Sequence, residues 1–328
     1  GNPLYIYEFI QSIKRSESFV VKKGIGSIDS NKAISLPNNI QSLILSNISE
    51  MNEAERNFLQ AASVMGNKFS LSLLGPLLEM DSDEVNDLIR LPVRLNIISL
   101  KEAYTALGAV EKIFVFNQDV EREVIYDSIL NKDKRELHQR IGELIEAKYC
   151  GELEGYYEIL FTHFRKSGQN KKAAEYSYKT AIKDRENYNF PSSLQYYNHF
   201  LQLVLQEGST KMDSRVLDAY RDMAYINFIM ADYNRSLSNL DKALEIATLY
   251  DDIYSIKLMI ADIYKETDMY DDALKILEDL QPKIKEENTL YGKLLQMKCS
   301  ILRILGDTDA LAIAQKSEQL LIKMKDFE

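Results

Sequence analysis

Two stretches of the chain carry one pattern: ADYNRSLSNLDKAL, residues 231–244, and DMYDDALKILEDL, residues 268–280. In each stretch a tyrosine, Tyr233 or Tyr270, is followed three residues later by a small side chain. The two tyrosines lie 37 residues apart, and both stretches have the apolar spacing of an amphipathic helix. A helical pattern that recurs at a fixed period of this length is typical of a solenoid built from helix pairs.

Small residues keep the same period on both sides of these stretches. Ala224 is matched by Ala261, and Ser236 is matched by Ala273 and Ala310. Each of the first two predicted units therefore has one small residue in its first helix and another in its second. Small side chains at these places allow the two helix backbones of a pair to approach closely.

This alternation of small, aromatic and small positions resembles the tetratricopeptide repeat, and the resemblance covers residues 213–324. The third unit departs from the pattern, because Lys298 stands where the first two units have alanine. Helical patterns in residues 156–188 and 190–206 are interpreted as earlier, divergent units: one helix pair and one further helix. The superhelix is predicted to begin near Glu154.

The first half of the chain has a different element order. Residues 4–13 have the pattern of a short helix, residues 16–35 that of a polar connector, and a helix is predicted after Leu36. The next predicted elements are three helices, 52–65, 71–79 and 83–95, and two strands, 96–100 and 112–116. Helix is predicted again over 119–149, with a break near 131–133. Three helices followed by a hairpin are the order of a winged helix, so the predicted fold class is mainly α: a winged-helix domain with a small β-hairpin, followed by an α-α superhelix.

The composition of the chain argues against several classes of function. The chain has 328 residues, a formal net charge of -10 and only two cysteines, Cys150 and Cys299. The acidic balance argues against nucleic acid as a partner, and two distant cysteines form no disulfide framework. The sequence has neither a long apolar run nor a signal-peptide pattern. We expect a cytoplasmic protein with no membrane contact.

The sequence contains no recognisable active-site motif. The phosphate-binding pattern G-x-x-x-x-G-K-[ST] is absent, and Gly66 is interpreted as a helix stop. The histidines His138, His163 and His199 fall in three different predicted helices without a ligand partner at metal spacing, so packing roles are favoured. We predict no catalytic residue, no metal and no cofactor for this chain, which is therefore not expected to be an enzyme by itself.

A winged helix also suggests DNA binding through its third helix. Here residues 81–94 contain four acidic side chains and two arginines, which would bring net negative charge to the phosphates. Packing against protein is the favoured interpretation. Partner contacts are expected instead on the inner face of the repeats, where the candidate residues are Tyr225, Tyr233, Tyr264 and Tyr270.

The order of the pieces resembles one family. GNPLYIYEFI (1–10), LPNNIQSLILSNISEMNEAERNFLQAASVMGNKFSLSLL (36–74) and FVFNQDVEREVIYDSILNKDKRELHQRIGELIE (114–146), followed by the repeats, look like the carboxy-terminal part of a STAND-class signalling ATPase. The resemblance is to the bacterial predicted ATPases of cyclase, kinase and maltose-regulator-like type.

The resemblance assigns roles to two residues. In that family a Gly-x-Pro motif closes the nucleotide-binding module, so Pro3 is expected to pack near the adenine. A histidine that senses the phosphates follows the last strand of the wing in the family; here Gln118 stands at that position. An amide accepts and donates hydrogen bonds but carries no charge. The P-loop is expected upstream of Gly1, which makes this chain a fragment.

The resemblance also implies a function. Residues 1–45 would end the nucleotide-binding module, residues 46–150 would form the winged helix and linking helix, and residues 151–328 would form the repeat superhelix. The full-length protein would bind ATP or ADP and oligomerise, its winged helix would control the upstream ATPase module, and its repeats would bind a protein or small-molecule inducer. The alternative is a stand-alone repeat scaffold for protein–protein interaction. The sequence identifies neither the inducer nor the effector domain.

Overall fold

The computed structural model describes residues 10, 19–22, 25–28, 40–49, 51–104, 110–206, 214–286 and 288–325. This part of the chain is mainly helical, as predicted, and it forms two compact units, residues 1–173 and 174–328. The predicted division at residues 45 and 150 stays a prediction. Within the described residues, no helix combines the length and apolar character needed to cross a membrane. The predicted helix over residues 4–13 lies outside the described residues, apart from Ile10.

The helices of the first unit follow the predicted order. The elements of this unit are β1 (Phe19–Lys22), β2 (Ile25–Ile28), α1 (Ile40–Ser49), α2 (Glu53–Met65), β3 (Lys68–Ser70), α3 (Leu71–Leu78), α4 (Ser82–Arg94), β4 (Ile98–Tyr104), β5 (Val110–Phe116), α5 (Asp119–Asp127), α6 (Asn131–Lys148), a 3-10 turn (Leu153–Tyr156) and α7 (Tyr157–Ser167).

Local sequence explains where α2 and α4 begin. Asn52 accepts a hydrogen bond from the backbone of Glu55, whose carboxylate accepts one from the Asn52 backbone, and Asp81 and Glu84 repeat this capping box. Helix α2 ends at Gly66, which has a φ of 127°. That conformation is costly for any residue with a Cβ, so the glycine fixes the helix end.

Strands β3, β5 and β4 form an antiparallel sheet in that order. The hairpin of β4 and β5 was predicted, whereas β3 was not, because three residues give no readable alternation. Its Phe69 is buried and its ring centroid lies 5.7 Å from that of Phe116 and 6.5 Å from that of Phe58 on α2. These aromatic contacts join the sheet to α2.

Two predictions in this unit are corrected. The predicted connector 16–35 contains the antiparallel hairpin β1–β2, in register Phe19 with Ile28. Its valine and isoleucine residues favour extended backbone, a signal that the neighbouring glycines and serines obscured. The break predicted near residues 131–133 falls at residues 128–130 instead, and Asn131 already begins α6.

The second unit is built of helix pairs. Helix α8 (Asn170–Glu186) contains the boundary between the units and is followed by α9 (Phe190–Gln206), α10 (Ser214–Ile229), α11 (Tyr233–Ile246), α12 (Tyr250–Glu266), α13 (Tyr270–Leu280), α14 (Thr289–Leu305) and α15 (Ala310–Lys325). Pairs α10–α11, α12–α13 and α14–α15 match the predicted repeats, and the unit has a tetratricopeptide-like repeat fold.

The small residues of the pattern lie where the paired helices touch. The Ser236 hydroxyl of α11 donates to the Ala224 carbonyl of α10 at 2.7 Å, and Ser193 of α9 donates to Ala181 of α8 at the same distance. Helices α8 and α9 therefore form one pair, whereas the sequence had α8 paired with the helix before it. In the third pair, the departing Lys298 is accommodated by donating to the Gln281 side chain at 3.0 Å.

The turn inside each pair is also repeated. Tyr188, Ala231, Asp268 and Gly306 have φ of 59°, 57°, 60° and 74°, and each follows the first helix of its pair. The next residue then donates its backbone N–H to a carbonyl five residues earlier in all four turns. This is a Schellman-type helix end, in which a left-handed residue reverses the chain.

Candidate partner-binding groove

A cavity of about 430 Å³ opens on the second unit where the first helices of three successive pairs lie side by side. We call it the repeat groove. Its lining residues are Tyr178, Ile182 and Arg185 of α8, Asp218, Arg221, Asp222 and Tyr225 of α10, and Met259 of α12. The groove combines two tyrosines and two apolar side chains with four charged ones.

Helical periodicity places these side chains together. Asp218 is followed at three, four and seven residues by Arg221, Asp222 and Tyr225. These four side chains therefore form one stripe along α10. Ala224, on another face of the same helix, is fully buried against α11. The repeat packing therefore fixes which face of α10 is left for the groove.

The centre of the groove is a network around Asp222. Its carboxylate forms an ion pair with Arg185 and accepts a hydrogen bond of 2.5 Å from the hydroxyl of Tyr197 on α9. Tyr197 is fully buried, and burial together with this hydrogen bond and the Asp222 charge raises its pKa. Tyr197 therefore stays protonated and holds the carboxylate in place as a neutral donor.

Arg221 joins α10 to α12. Its guanidinium lies 3.4 Å from an Asp252 carboxylate oxygen and 4.0 Å from one of Asp218, and it lies 3.4 Å from the Ser255 hydroxyl. The Asp218 side chain remains half exposed. Burial raises the pKa of Asp218, Arg221 opposes this, and Asp222 and Asp252 add to it. Asp218 is thus the acid of the groove that is least committed to an internal partner.

Tyr178 gives the groove a neutral hydroxyl donor. Burial, followed by the nearby charges of Asp218 and Asp222, raises its pKa to about 12. Its ring faces the Arg215 guanidinium at 5.8 Å from the ring centroid, within the range of a cation–π contact. The phenol therefore stays protonated at neutral pH.

The four candidate tyrosines have different surroundings in the structure. Tyr225 lines the repeat groove and is half exposed. Tyr233 and Tyr264 pack against the buried cores of the repeats, and the Tyr270 hydroxyl donates to Asp268 at 2.5 Å. A partner-binding role for these residues stays a prediction, with Tyr225 the one that lies in the groove.

Sequence reasoning missed the network of Arg185, Tyr197 and Asp222. Each residue has ordinary surface character in the sequence, and the three belong to three different helices. The repeat period did not align α8 with α10, because the equivalent residues Ala181 and Ala224 lie 43 residues apart instead of 37. The network became visible only with the helix packing.

The remaining candidate residues are placed as follows. Pro3 lies outside the described residues, and Gln118 is an exposed residue at the start of α5 whose side chain makes no capping hydrogen bond. Their nucleotide contacts stay predictions. The three histidines lie in three different helices, as predicted, but the imidazoles of His138 and His163 are in direct contact, which was not predicted. In the described part of the chain, no group of three or more His, Cys, Asp or Glu side chains has the geometry to hold a metal.

No family model and no curated protein matches the chain. Solved structures match at low identity. A Signal Transduction ATPase with Numerous Domains with a tetratricopeptide repeat sensor, from Pyrococcus horikoshii, is 15% identical with a TM-score of 0.46, and the match covers 89% of this chain and 41% of that one.

Two further solved structures match part of this chain. BtubC from P. vanneervenii is 14% identical with a TM-score of 0.40, covering 63% of this chain and 87% of its own. A putative kinesin light chain with nearly identical TPR-like repeats, from Podosopora anserina, is 12% identical with a TM-score of 0.44, covering 59% and 97%. At these identities the similarity concerns the fold alone.

Proposed function

We propose that the second unit binds an extended segment of a protein partner in the repeat groove, and that the chain is the regulatory and sensor region of a STAND-type signalling ATPase. The observation that carries the first part is the groove itself. Its lining residues come from the first helices of three successive pairs, and it offers aromatic, apolar and charged side chains together. Helical repeat proteins use such inter-repeat surfaces for partners.

The chemistry of the groove suits a peptide better than a reaction. Tyr178 and Tyr225 offer wide apolar faces with a polar tip, which is the side-chain type enriched at protein interfaces. The charges of Arg185 and Asp222 neutralise each other, so they supply geometry rather than reactivity. Asp218 is left to meet a basic side chain or a peptide N–H.

The regulatory part of the proposal is supported by the element order. A winged-helix-like unit precedes the repeats, and the sequence around Gln118 resembles the family segment that reports on nucleotide state. In this scheme ATP or ADP binds to another module of the same protein. A partner in the repeat groove would change nucleotide exchange only if it binds the two states of that module with different affinity.

The groove assignment is tested by site-specific photo-crosslinking in cells. A benzoylphenylalanine in place of Tyr225 should form crosslinks to a partner at a discrete mass. The matched control carries the same residue in place of Tyr188, which is 81% exposed but does not line the groove. Equal crosslinking from both positions, or none from position 225, would refute the groove as the binding surface.

The regulatory assignment is tested on the natural-length protein with a fluorescent ADP analogue. Deleting residues 174–328 should change the rate of ADP dissociation, since the repeats are proposed to bias the nucleotide module. A protein that binds no ADP, or one whose ADP dissociation is unaffected by the deletion, would leave the repeats as a protein-binding scaffold without a nucleotide switch.

A further inference from the structure

A second cavity, of about 240 Å³, lies in the first unit and is separate from the repeat groove. We call it the histidine cavity. It is lined by the carboxy-terminal end of α2, by Arg122 and Tyr126 of α5, by His138 of α6, and by Glu158, His163 and Lys166 of α7. None of these residues is used by the proposed function.

Two buried histidines form the inner wall. The Nδ1 atoms of His138 and His163 lie 2.9 Å apart, and the Tyr126 hydroxyl lies 3.1 Å from His138 Nε2. Both imidazoles are almost completely buried. Burial, then the charge that His163 would carry, then Lys166 and Lys134 lower the pKa of His138 to about 3. Burial and then Lys166 lower the pKa of His163 to about 4. Both rings are therefore neutral at pH 7, and one proton is shared between the facing nitrogens.

This chain of hydrogen bonds ends at His163 Nε2, for which the described residues supply no hydrogen-bond partner. If Tyr126 donates to His138, then His138 donates through Nδ1 to His163, whose own proton must sit on Nε2. In this tautomer the Nε2–H is a donor facing the cavity. An acceptor placed there would select the tautomer.

Positive charge surrounds the same space. Lys166 is paired with no carboxylate in the described part of the chain, and its ammonium lies 5.2 Å from the Tyr126 ring centroid. Lys134 lies 4.5 Å from that centroid and is ion-paired with the exposed Asp127 at 3.5 Å. Arg122 donates to the Ser63 carbonyl at 3.4 Å and lies 3.9 Å from the exposed Glu123 carboxylate.

The residues that line the cavity carry less negative charge than positive charge. The Glu158 side chain is exposed, and it is the one carboxylate among the lining residues, against the two cations Arg122 and Lys166. The Thr162 hydroxyl is already used by the Glu158 backbone carbonyl, at 3.0 Å. The lining therefore keeps a net positive charge beside an unused N–H donor, which is the combination that recognises an oxyanion.

We infer that the histidine cavity is a binding site for a phosphate-class oxyanion, held by Lys166, Arg122 and the Nε2–H of His163. The anion neutralises cations that otherwise repel each other and completes the hydrogen-bond chain from Tyr126. The same chemistry fits inorganic phosphate and a phosphate carried by a phosphoserine or a nucleotide.

The test is a titration of the full chain, with ¹⁵N-labelled histidine, against inorganic phosphate at constant ionic strength. The three histidines give few resonances. His199→Gln identifies those of His199, and the opposite tautomers of His138 and His163 distinguish the remaining two rings. Binding should shift His163 Nε2 saturably, with a Kd of about 1 mM or tighter. Lys166→Gln should weaken binding about tenfold, which corresponds to one charge-assisted hydrogen bond. The exposed Lys132→Gln, outside the cavity, should leave the Kd unchanged.

Parallel titrations distinguish the sources of the phosphate. Tighter binding of phosphoserine or of ADP than of inorganic phosphate would identify a carried phosphate, and equal binding would identify the free ion; both outcomes keep the site. An absent shift at about 20 mM phosphate, where even a weak site with a Kd near 1 mM is saturated, would overturn the inference. So would an equal response to chloride, or an unchanged Kd in Lys166→Gln.

Discussion

The two units bury polar groups in opposite ways. In the first unit, His138 and His163 are buried as neutral bases among cations, with a single proton between their facing nitrogens. In the second unit, Arg185 and Asp222 meet as opposite charges, and small hydroxyl groups bond to backbone carbonyls at the same place in successive pairs. These polar groups of the repeat unit are satisfied by one another, whereas the first unit leaves positive charge for a ligand to complement.

The largest expected difference between the two units is in how much their stability falls at acid pH. The folded pKa values of about 3 for His138 and about 4 for His163 lie below the ordinary 6.5. At pH values between these folded pKa values and 6.5, the two histidines bind more protons in the unfolded chain than in the folded one. The free energy of unfolding therefore falls as pH falls. The loss is about 1.4 kcal/mol per pH unit for each histidine that stays neutral.

This acid sensitivity is checked by amide hydrogen exchange in an anion-poor buffer at pH 6.5 and 4.5. Protection in α6 and α7 should drop, while protection in α11 should change much less. The groups that face the histidine pair are Tyr126, Arg122, Lys134, Lys166 and Glu158. Phosphate should restore part of the protection. Equal loss of protection in both units would show that the buried histidines are not the cause.

The next effect concerns the ion pair of the repeat unit. Asp222→Ala leaves the Arg185 guanidinium without its acid and the buried Tyr197 hydroxyl without its acceptor. We expect a loss of about 3 kcal/mol in the free energy of unfolding, measured by urea denaturation. Asp218→Ala is the matched control on the same helix, and since its carboxylate is half exposed, it should cost less than about 1 kcal/mol. Equal costs would mean that the network has no special role.

A smaller effect tests the hydroxyl groups that join the helix pairs. Ser236→Ala removes a buried donor, so that the Ala224 carbonyl keeps only the hydrogen bond within its own helix, which should cost about 1 kcal/mol in the free energy of unfolding. The reverse change, Ala273→Ser, occupies the equivalent place in the next pair and should be nearly neutral, because the new hydroxyl can donate to the Ala261 carbonyl. A strongly destabilising Ala273→Ser would show that the two pairs differ in backbone spacing.

The smallest effect is expected at the turns inside the pairs. Ala231 has a φ of 57°, and Gly306 holds the same place with a φ of 74°. Because glycine adopts this conformation without strain, Ala231→Gly should raise the free energy of unfolding by about 0.5 kcal/mol, and Gly306→Ala should lower it by about 1 kcal/mol. Thermal unfolding checks both changes. Shifts of the same sign in the two variants would contradict the shared turn geometry.

The comparison also shows which features a sequence alone reveals. Local patterns were sufficient for the helix starts at Asn52 and Asp81, for the hairpin of β4 and β5, and for the 37-residue repeat. Each depends on residues close together in the chain or on an internal copy. The position of Tyr225 in a groove was predicted as one of four equivalent tyrosines, because periodicity indicates a helix face but not its neighbours.

Features that depend on the relative rotation of distant helices were missed. His138 and His163 belong to consecutive helices, and their contact depends on how α6 turns toward α7. The close approach there is set by Gly142, since a Cβ at this position would lie 2.8 Å from the Phe164 ring. A sequence shows the glycine but not the ring that requires it. The three-residue strand β3 was missed because it is too short for a pattern.

The proposal that this chain regulates a nucleotide switch is tested most directly by the gene sequence upstream of the Gly1 codon. We expect an open reading frame that continues for about 300 residues and encodes G-x-x-x-x-G-K-[ST], followed by a strand ending in an acidic residue. A start codon close to Gly1, with no such motif before it, would contradict the claim and leave a repeat scaffold whose groove binds partners without nucleotide control.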